Sequence, residues 1–305
     1  VFHRLPPLVL GSLTILLVIS NILLFTPMVY LVGLLKVIFR DERTRAKLVR
    51  FLEYLCEGWV QGNDLILRLT QDLRWDIRGN EGLRRAAWYF VVSNHQSWVD
   101  IVVLQHVLNR RIPYPKFFLK KELRKIPILG FAWQTLDYPF MQRHSRAALE
   151  AKPELAGQDL AVTFEACRKF SLVPTTVLNF LEGTRFTPAK HRTQESPYRH
   201  LLRPKAGGFA FVLTAMGQRF HSLLDVTIAY PGGRPTFWEL CSGKVHEVVV
   251  RVEQRELPAE FLTGDYQGDP VFRQRFQTFV NQLWEHKDEL LGTLLPSPDQ
   301  PRSGK

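Results

Sequence analysis

Between Arg4 and Lys36 the chain carries no Asp, Glu, Lys or Arg, and this interval limits the possible folds more than any other feature. As one straight helix it would run roughly 45 Å, against about 30 Å for a hydrocarbon core. Pro27 stands past its middle, preceded by Asn21 and Thr26, and is placed to break such a helix. Two geometries remain: one tilted or kinked span, or two shorter helices forming a hairpin within one leaflet. The length favours the hairpin. A cleaved signal peptide fits poorly, because the apolar run is too long and no small-residue site ends it. Arg40, Arg43, Arg45, Lys47 and Arg50 follow directly, and the positive-inside rule puts them on the cytoplasmic side. The remainder is too polar to cross again. It is expected at the cytoplasmic face of a membrane, the inner membrane if the chain is bacterial.

The pattern then divides the chain. Residues 1–40 read as the membrane anchor. Residues 41–72 read as an amphipathic connecting helix, with Leu48, Phe51, Leu52, Leu55 and Trp59 at helical spacing. Residues 73–295 alternate strands and helices. Strands are predicted over 73–77, 87–92, 117–120, 139–142, 175–181, 223–230, 236–241 and 245–252. Helices are predicted over 97–108, 158–170, 208–216 and 271–291. That order implies an α/β fold with a mixed, mostly parallel sheet flanked by helices. Residues 296–305, rich in Pro, Ser and charge, read as a disordered tail.

With 305 residues, 46% of them hydrophobic, the chain is long enough to bury a substantial core. Cys56, Cys167 and Cys241 are scattered and odd in number, which argues against structural disulfides and metal knuckles and fits a reducing compartment. The formal charge of +11 calls for a partner. Besides residues 40–50, basic residues gather at 110–125 and at 185–205. Nucleic acid, anionic lipid and a phosphorylated substrate all suit such clusters. The first cluster abuts the apolar segment, so an anionic membrane is the expected partner and nucleic acid is not.

Two short patterns can carry chemistry. Asn94-His95-Gln96-Ser97-Trp98-Val99-Asp100 follows an apolar strand and opens a helix. A folded-back turn would let Asp100 orient His95 as a general base. A local role accounts for the same residues, with Ser97 capping the helix, Asp100 favouring its dipole and His95 packing nearby. Phe180-Leu181-Glu182-Gly183-Thr184-Arg185 ends a strong strand candidate. Its glycine permits close backbone approach and Arg185 offers a planar fork suited to phosphate. A surface turn with a Glu–Arg pair is the plainer account. No Gly-x-Ser-x-Gly elbow, Gly-x-Gly-x-x-Gly loop or phosphate-binding P-loop pattern is present, which disfavours serine hydrolases and nucleotide enzymes. A zinc site from His95, Asp100 and His106 lacks evident further ligands.

Together, the His-x4-Asp and Phe-x-Glu-Gly-Thr-Arg patterns resemble the signature of the 1-acylglycerol-3-phosphate acyltransferase family, a branch of the glycerolipid acyltransferases. The segment Leu136-Asp137-Tyr138-Pro139-Phe140-Met141-Gln142-Arg143 is similar to the family's second block. Its wording is closer to the branch of long-chain lysophospholipid and lysocardiolipin acyltransferases. Leu202-Arg203-Pro204-Lys205-Ala206-Gly207-Gly208-Phe209, followed by Ile228-Ala229-Tyr230-Pro231, resembles the approach to the fourth block. The resemblance implies direct acyl transfer without a cofactor, from acyl-CoA or acyl carrier protein to the sn-2 hydroxyl of 1-acylglycerol-3-phosphate, giving phosphatidic acid. It implies His95 as base, Asp100 as its orienting partner, and Arg143, Glu182, Gly183, Thr184, Arg185 and Lys205 as substrate-binding residues. Other lysophospholipid acceptors, and a basic membrane-surface adaptor without catalysis, remain as alternatives.

Overall fold

The computed structural model describes residues 2–141, 161, 164–169 and 172–296. Two long helices lead. α1 (Pro7–Ile38) is followed after a short turn by α2 (Glu42–Thr70), whose first turn is capped by the Asp41 side chain accepting the Thr44 N–H at 2.8 Å. They pack antiparallel: Asn21 Nδ2 donates to the Trp59 carbonyl (2.8 Å) and to Asn63 Oδ1 (2.9 Å), and Val29 and Val32 bury against Leu52. The two-helix hairpin expected within residues 1–40 does not form. The hairpin is α1 with α2, and α1 continues through Pro27. An interior proline costs about 3 kcal/mol or more, and lateral contacts on both sides of Pro27 oppose a break there.

The remaining strands are β1 (Arg74–Arg78), β2 (Tyr89–Ser93), β3 (Pro115–Phe117), β4 (Leu119–Lys120), β5 (Phe140–Met141), β6 (Thr176–Phe180), β7 (Ser222–Ala229) and β8 (Glu247–Arg255). The helices are α3 (Val99–Leu108), α4 (Leu129–Thr135), α5 (Pro188–Thr193), α6 (Gly207–Met216), α7 (Phe237–Cys241) and α8 (Pro270–Leu294). Six strands form one sheet in the order β1-β8-β7-β2-β6-β3, parallel except where β7 meets β8. β4 and β5 form a separate parallel pair. The predicted α/β class with a mixed, mostly parallel sheet is therefore what the chain adopts.

Every residue of β2 and β7 is buried, as expected of central strands covered on both faces. Alternation sorts their side chains. Phe90 and Val92 pack with Phe209 of α6 and with Phe276 and Trp284 of α8. Tyr89 and Val91 pack on the other face with Val103 and Val107 of α3. Lys287 of α8 is fully buried beneath β7, where its Nζ lies 2.5 Å from Asp225 Oδ1 and donates to the Val226 carbonyl at 2.8 Å. A buried ammonium is tolerated only when paired and hydrogen-bonded in this way.

Three expectations fail locally. Residues 236–241 were predicted as a strand and form α7. Thr236 and Glu239 make a reciprocal capping box, which starts a helix and overrides the short apolar run of Phe237, Trp238, Leu240 and Cys241. The strand predicted over 117–120 is split at Phe118 between two sheets. α4 and α5 were not anticipated. Of the helix predicted over 158–170, residues 161 and 164–169 are helical, and the rest lies outside the described residues, as does the tail from 297 onward.

Candidate active site

β6, β2 and β7 are parallel neighbours, with Ser93 level with Phe180 on one side and Val226 on the other. The loops that follow these strands therefore emerge together at one sheet edge, where open α/β sheets usually carry their sites. The loop after β2 is tied to β7: Asn94 Oδ1 accepts the Ile228 N–H (2.9 Å), Asn94 Nδ2 donates to the Ile228 carbonyl (2.9 Å), and Gln96 Nε2 donates to that carbonyl at 2.8 Å.

His95 Nδ1 lies 2.9 Å from Asp100 Oδ2. The same oxygen accepts the backbone N–H groups of Gln96 (2.6 Å) and Ser97 (2.8 Å), so Asp100 shapes the turn that presents the imidazole. Asp100 stands in the first turn of α3, where the helix dipole favours an anion. The Tyr230 hydroxyl donates to Asp100 Oδ1 at 2.6 Å. Asp100 is fully buried, whereas the His95 side chain keeps 14% of its surface exposed. With the carboxylate accepting at Nδ1, the tautomer leaves Nε2 as the free acceptor, as a general base requires. The ring stacks on Phe180, with centroids 4.0 Å apart. The capping role open to Ser97 coexists with this pairing: its hydroxyl accepts the Val99 N–H (3.0 Å) and donates to the Pro235 carbonyl.

The second motif joins the first through backbone. Glu182 is fully buried, its Oε1 accepting the His95 N–H (2.9 Å) and its Oε2 the Leu202 N–H (3.1 Å). Burial pushes its carboxyl up to about 8 against the pull of those two donors. Both oxygens are engaged by main chain, so Glu182 ties the loops together beneath the site. The Phe186 N–H donates to the His95 carbonyl at 2.8 Å. Gly183 has φ +68°, a left-handed conformation that favours glycine, and its N–H closes a turn onto the Phe180 carbonyl.

Thr184 Oγ1 accepts from Lys190 Nζ at 2.7 Å. Arg185 is exposed, its guanidinium 4.7 Å from the centre of the Trp98 ring. Lys205 donates its N–H to the Leu181 carbonyl (2.7 Å) and has an exposed side chain. Arg143 lies outside the described residues. His106 does not join His95: its Nδ1 is 2.8 Å from Asp64 Oδ1 and its ring stacks on Trp75. A narrow apolar cleft adjoins the site, lined by Phe180, Ile101, Leu104, Phe117 and their neighbours.

Sequence reasoning missed Asn94 and Tyr230 as organisers of the dyad, and missed Arg234, whose guanidinium lies 3.7 Å from the centre of the Phe186 ring. The Ile228-Ala229-Tyr230-Pro231 segment offered Tyr230 as a residue at a strand end. For Arg234 the sequence holds no signal beyond a basic residue in a Gly-Gly-Arg-Pro turn.

Residues 74–231, just over half of the chain, match the family model described as Acyltransferase. The chain belongs to that acyltransferase family. Other members share part of its sequence. Lysocardiolipin acyltransferase 1 of Mus musculus is 28% identical over 214 residues, covering 66% of this chain and 52% of that protein. The gamma form of 1-acyl-sn-glycerol-3-phosphate acyltransferase of Homo sapiens is 25% identical over 213 residues, with 66% and 51% covered. The chain thus spans about half the length of these curated relatives. Its fold is similar to the crystal structure of the 1-acyl-sn-glycerophosphate acyltransferase PlsC of Thermotoga maritima, with a TM-score of 0.55 at 19% identity, covering 92% of this chain and 95% of that one.

Proposed function

We propose that this chain is a membrane-associated acyltransferase that moves a fatty acyl group from a thioester to the sn-2 hydroxyl of 1-acylglycerol-3-phosphate, giving phosphatidic acid. The observation that carries the reading is the buried carboxylate of Asp100 braced against an imidazole that stays open at Nε2. In this scheme Nε2 takes the hydroxyl proton as the oxygen attacks the thioester carbonyl carbon. The tetrahedral intermediate collapses, the carbon–sulfur bond breaks, and the imidazolium returns the proton to the departing thiolate. Products are an ester and a free thiol, and His95 is regenerated. Asp100 stabilises the imidazolium in between.

Arg185 holds the acceptor phosphate beside the base, and the apolar cleft next to Phe180 takes part of an acyl chain. α1 is long and apolar enough to cross a membrane by length and composition, which supports membrane association through that helix. The donor is acyl-CoA or acyl carrier protein. A second reading, a lysocardiolipin-like acceptor, is favoured by the similarity to lysocardiolipin acyltransferase 1.

The test is thiol release by purified protein supplied with acyl thioester and a panel of lysolipids, with products identified by mass spectrometry. His95→Ala is expected to lower the rate by about 10²–10⁴-fold, the usual contribution of a positioned base. Equal thiol release by wild type and variant would sink the mechanism. Faster acylation of lysocardiolipin than of 1-acylglycerol-3-phosphate would select the second reading.

A further inference from the structure

The cations around the dyad divide into engaged and free. Arg203 donates through Nε to the Gln194 carbonyl (2.9 Å) and through a terminal nitrogen to the Glu195 carbonyl (2.7 Å). Lys190 is held by Thr184 and by the Arg185 carbonyl. Arg185 and Arg234 differ: each guanidinium lies on an aromatic ring, of Trp98 and Phe186 respectively. Among the described residues neither has a carboxylate or carbonyl within hydrogen-bond reach. A guanidinium stacked on a ring keeps its in-plane N–H fork pointing outward, preorganised for an oxyanion.

Both plates are fixed to the catalytic loop. Trp98 is in the same loop as His95, and the Phe186 N–H is bonded to the His95 carbonyl. The segment bearing Arg234 is held from both sides, by the Tyr230 hydroxyl on Asp100 and by the Ser97 hydroxyl on the Pro235 carbonyl. Partial burial is the larger influence on Arg234, and Glu182 stands nearby. Both oxygens of the Glu182 carboxyl are engaged by backbone N–H groups, which leaves the fork of Arg234 open.

We propose that Arg234 is a phosphate-binding residue that forms, with Arg185, a two-guanidinium site for a phosphomonoester beside His95. A phosphomonoester carries about −1.5 to −2 charges near pH 7, a match for two arginines and more than one alone neutralises. This deepens the proposed function and rests on it for the identity of the substrate. Two substrates bring such a group, the lysophosphatidic acid acceptor and the 3′-phosphate of coenzyme A.

The experiment uses the full chain in mixed micelles. Its first arm measures binding of dodecyl phosphate, an amphiphilic phosphomonoester with no hydroxyl to acylate, so the result does not depend on turnover. Arg234→Ala is expected to weaken binding about tenfold to a hundredfold, the range for losing a charge-assisted hydrogen bond. Arg185→Ala should do the same, and Arg234→Lys should fall between, keeping the charge without the fork. Binding by Arg234→Ala within twofold of wild type overturns the proposal. The second arm measures KM of each substrate with the other saturating. A rise for lysophosphatidic acid alone assigns the site to the acceptor, and a rise for acyl-CoA alone assigns it to the donor. A wild-type protein that binds dodecyl phosphate through Arg234 but transfers no acyl group would overturn the proposed function and leave the phosphate site standing.

Discussion

Asp100 accepts four hydrogen bonds: from the imidazole, two backbone N–H groups and the Tyr230 hydroxyl. A carboxylate so held has one orientation, and so does the imidazole it braces. Burial raises the Tyr230 hydroxyl well above its usual range, so it remains a donor at any working pH. Tyr230→Phe removes that donor without opening a cavity. The carboxylate then loses one of the four bonds that fix its orientation, and the imidazole it braces is aimed less well at the acceptor hydroxyl. The expected result is a fall of about tenfold in kcat/KM, equivalent to about 1.4 kcal/mol, with the melting temperature little changed. A variant with the kcat/KM of the wild type would show that Tyr230 only fills space. The His95–Asp100 pair was legible in the sequence because both members lie within one loop-to-helix turn. Tyr230 was not, because it reaches Asp100 from a strand far along the chain, and only the order β6-β2-β7 brings that strand alongside.

Elements were legible where periodicity stood alone and illegible where two signals competed. β7 and α8 were expected close to where they lie, since long runs of one period leave no rival reading. In α7 the short apolar run of Phe237, Trp238, Leu240 and Cys241 reads as a strand, but Thr236 and Glu239 are a helix-start signature at the required spacing. The cap decides because so short an element gains little from packing alone. α7 matters beyond its length: Trp238 lies so close to α1 that a Cβ at Gly11 would stand 2.7 Å from its ring. At the other end of α1, a Cβ at Gly33 would stand 2.6 Å from Thr135 Cγ2 in α4. Thr135 is buried and β-branched, with little freedom to turn aside. On intrinsic propensity Gly33→Ala should stabilise a helix by about 1 kcal/mol. Here it is expected to lower the melting temperature of the purified protein instead. A higher melting temperature would mean that α1 and α4 do not approach this closely in solution.

At the scale of the whole molecule, the decisive fact about α1 is that it touches the sheet domain near both ends. Gly11 meets Trp238 of α7, and Lys36 donates to the Thr135 carbonyl (2.8 Å) beside its ion pair with Asp137. From Gly11 to Lys36 is about 37 Å along a helix axis, more than a hydrocarbon core of about 30 Å. Were α1 upright in the bilayer, the polar domain alongside it would be carried through the hydrocarbon, at a prohibitive desolvation cost. Lying flat, α1 offers lipid the face that carries exposed Leu8, Leu16, Leu24, Leu31 and Val37, while its other face rests on α2. Trp98, Phe237 and Trp238 are also exposed, and α7 packs on α1. The sequence left a span and a one-leaflet arrangement open because length and hydropathy describe a helix without its neighbours. Single cysteines at Arg4 and Arg40 distinguish them, since the three native cysteines are buried. In sealed vesicles a membrane-impermeant maleimide is expected to label both positions from the side bearing the catalytic domain and neither from the opposite side. Labelling of the two positions from opposite sides would establish a span, and α1 would then have to leave α4 or α7 when the protein enters the membrane.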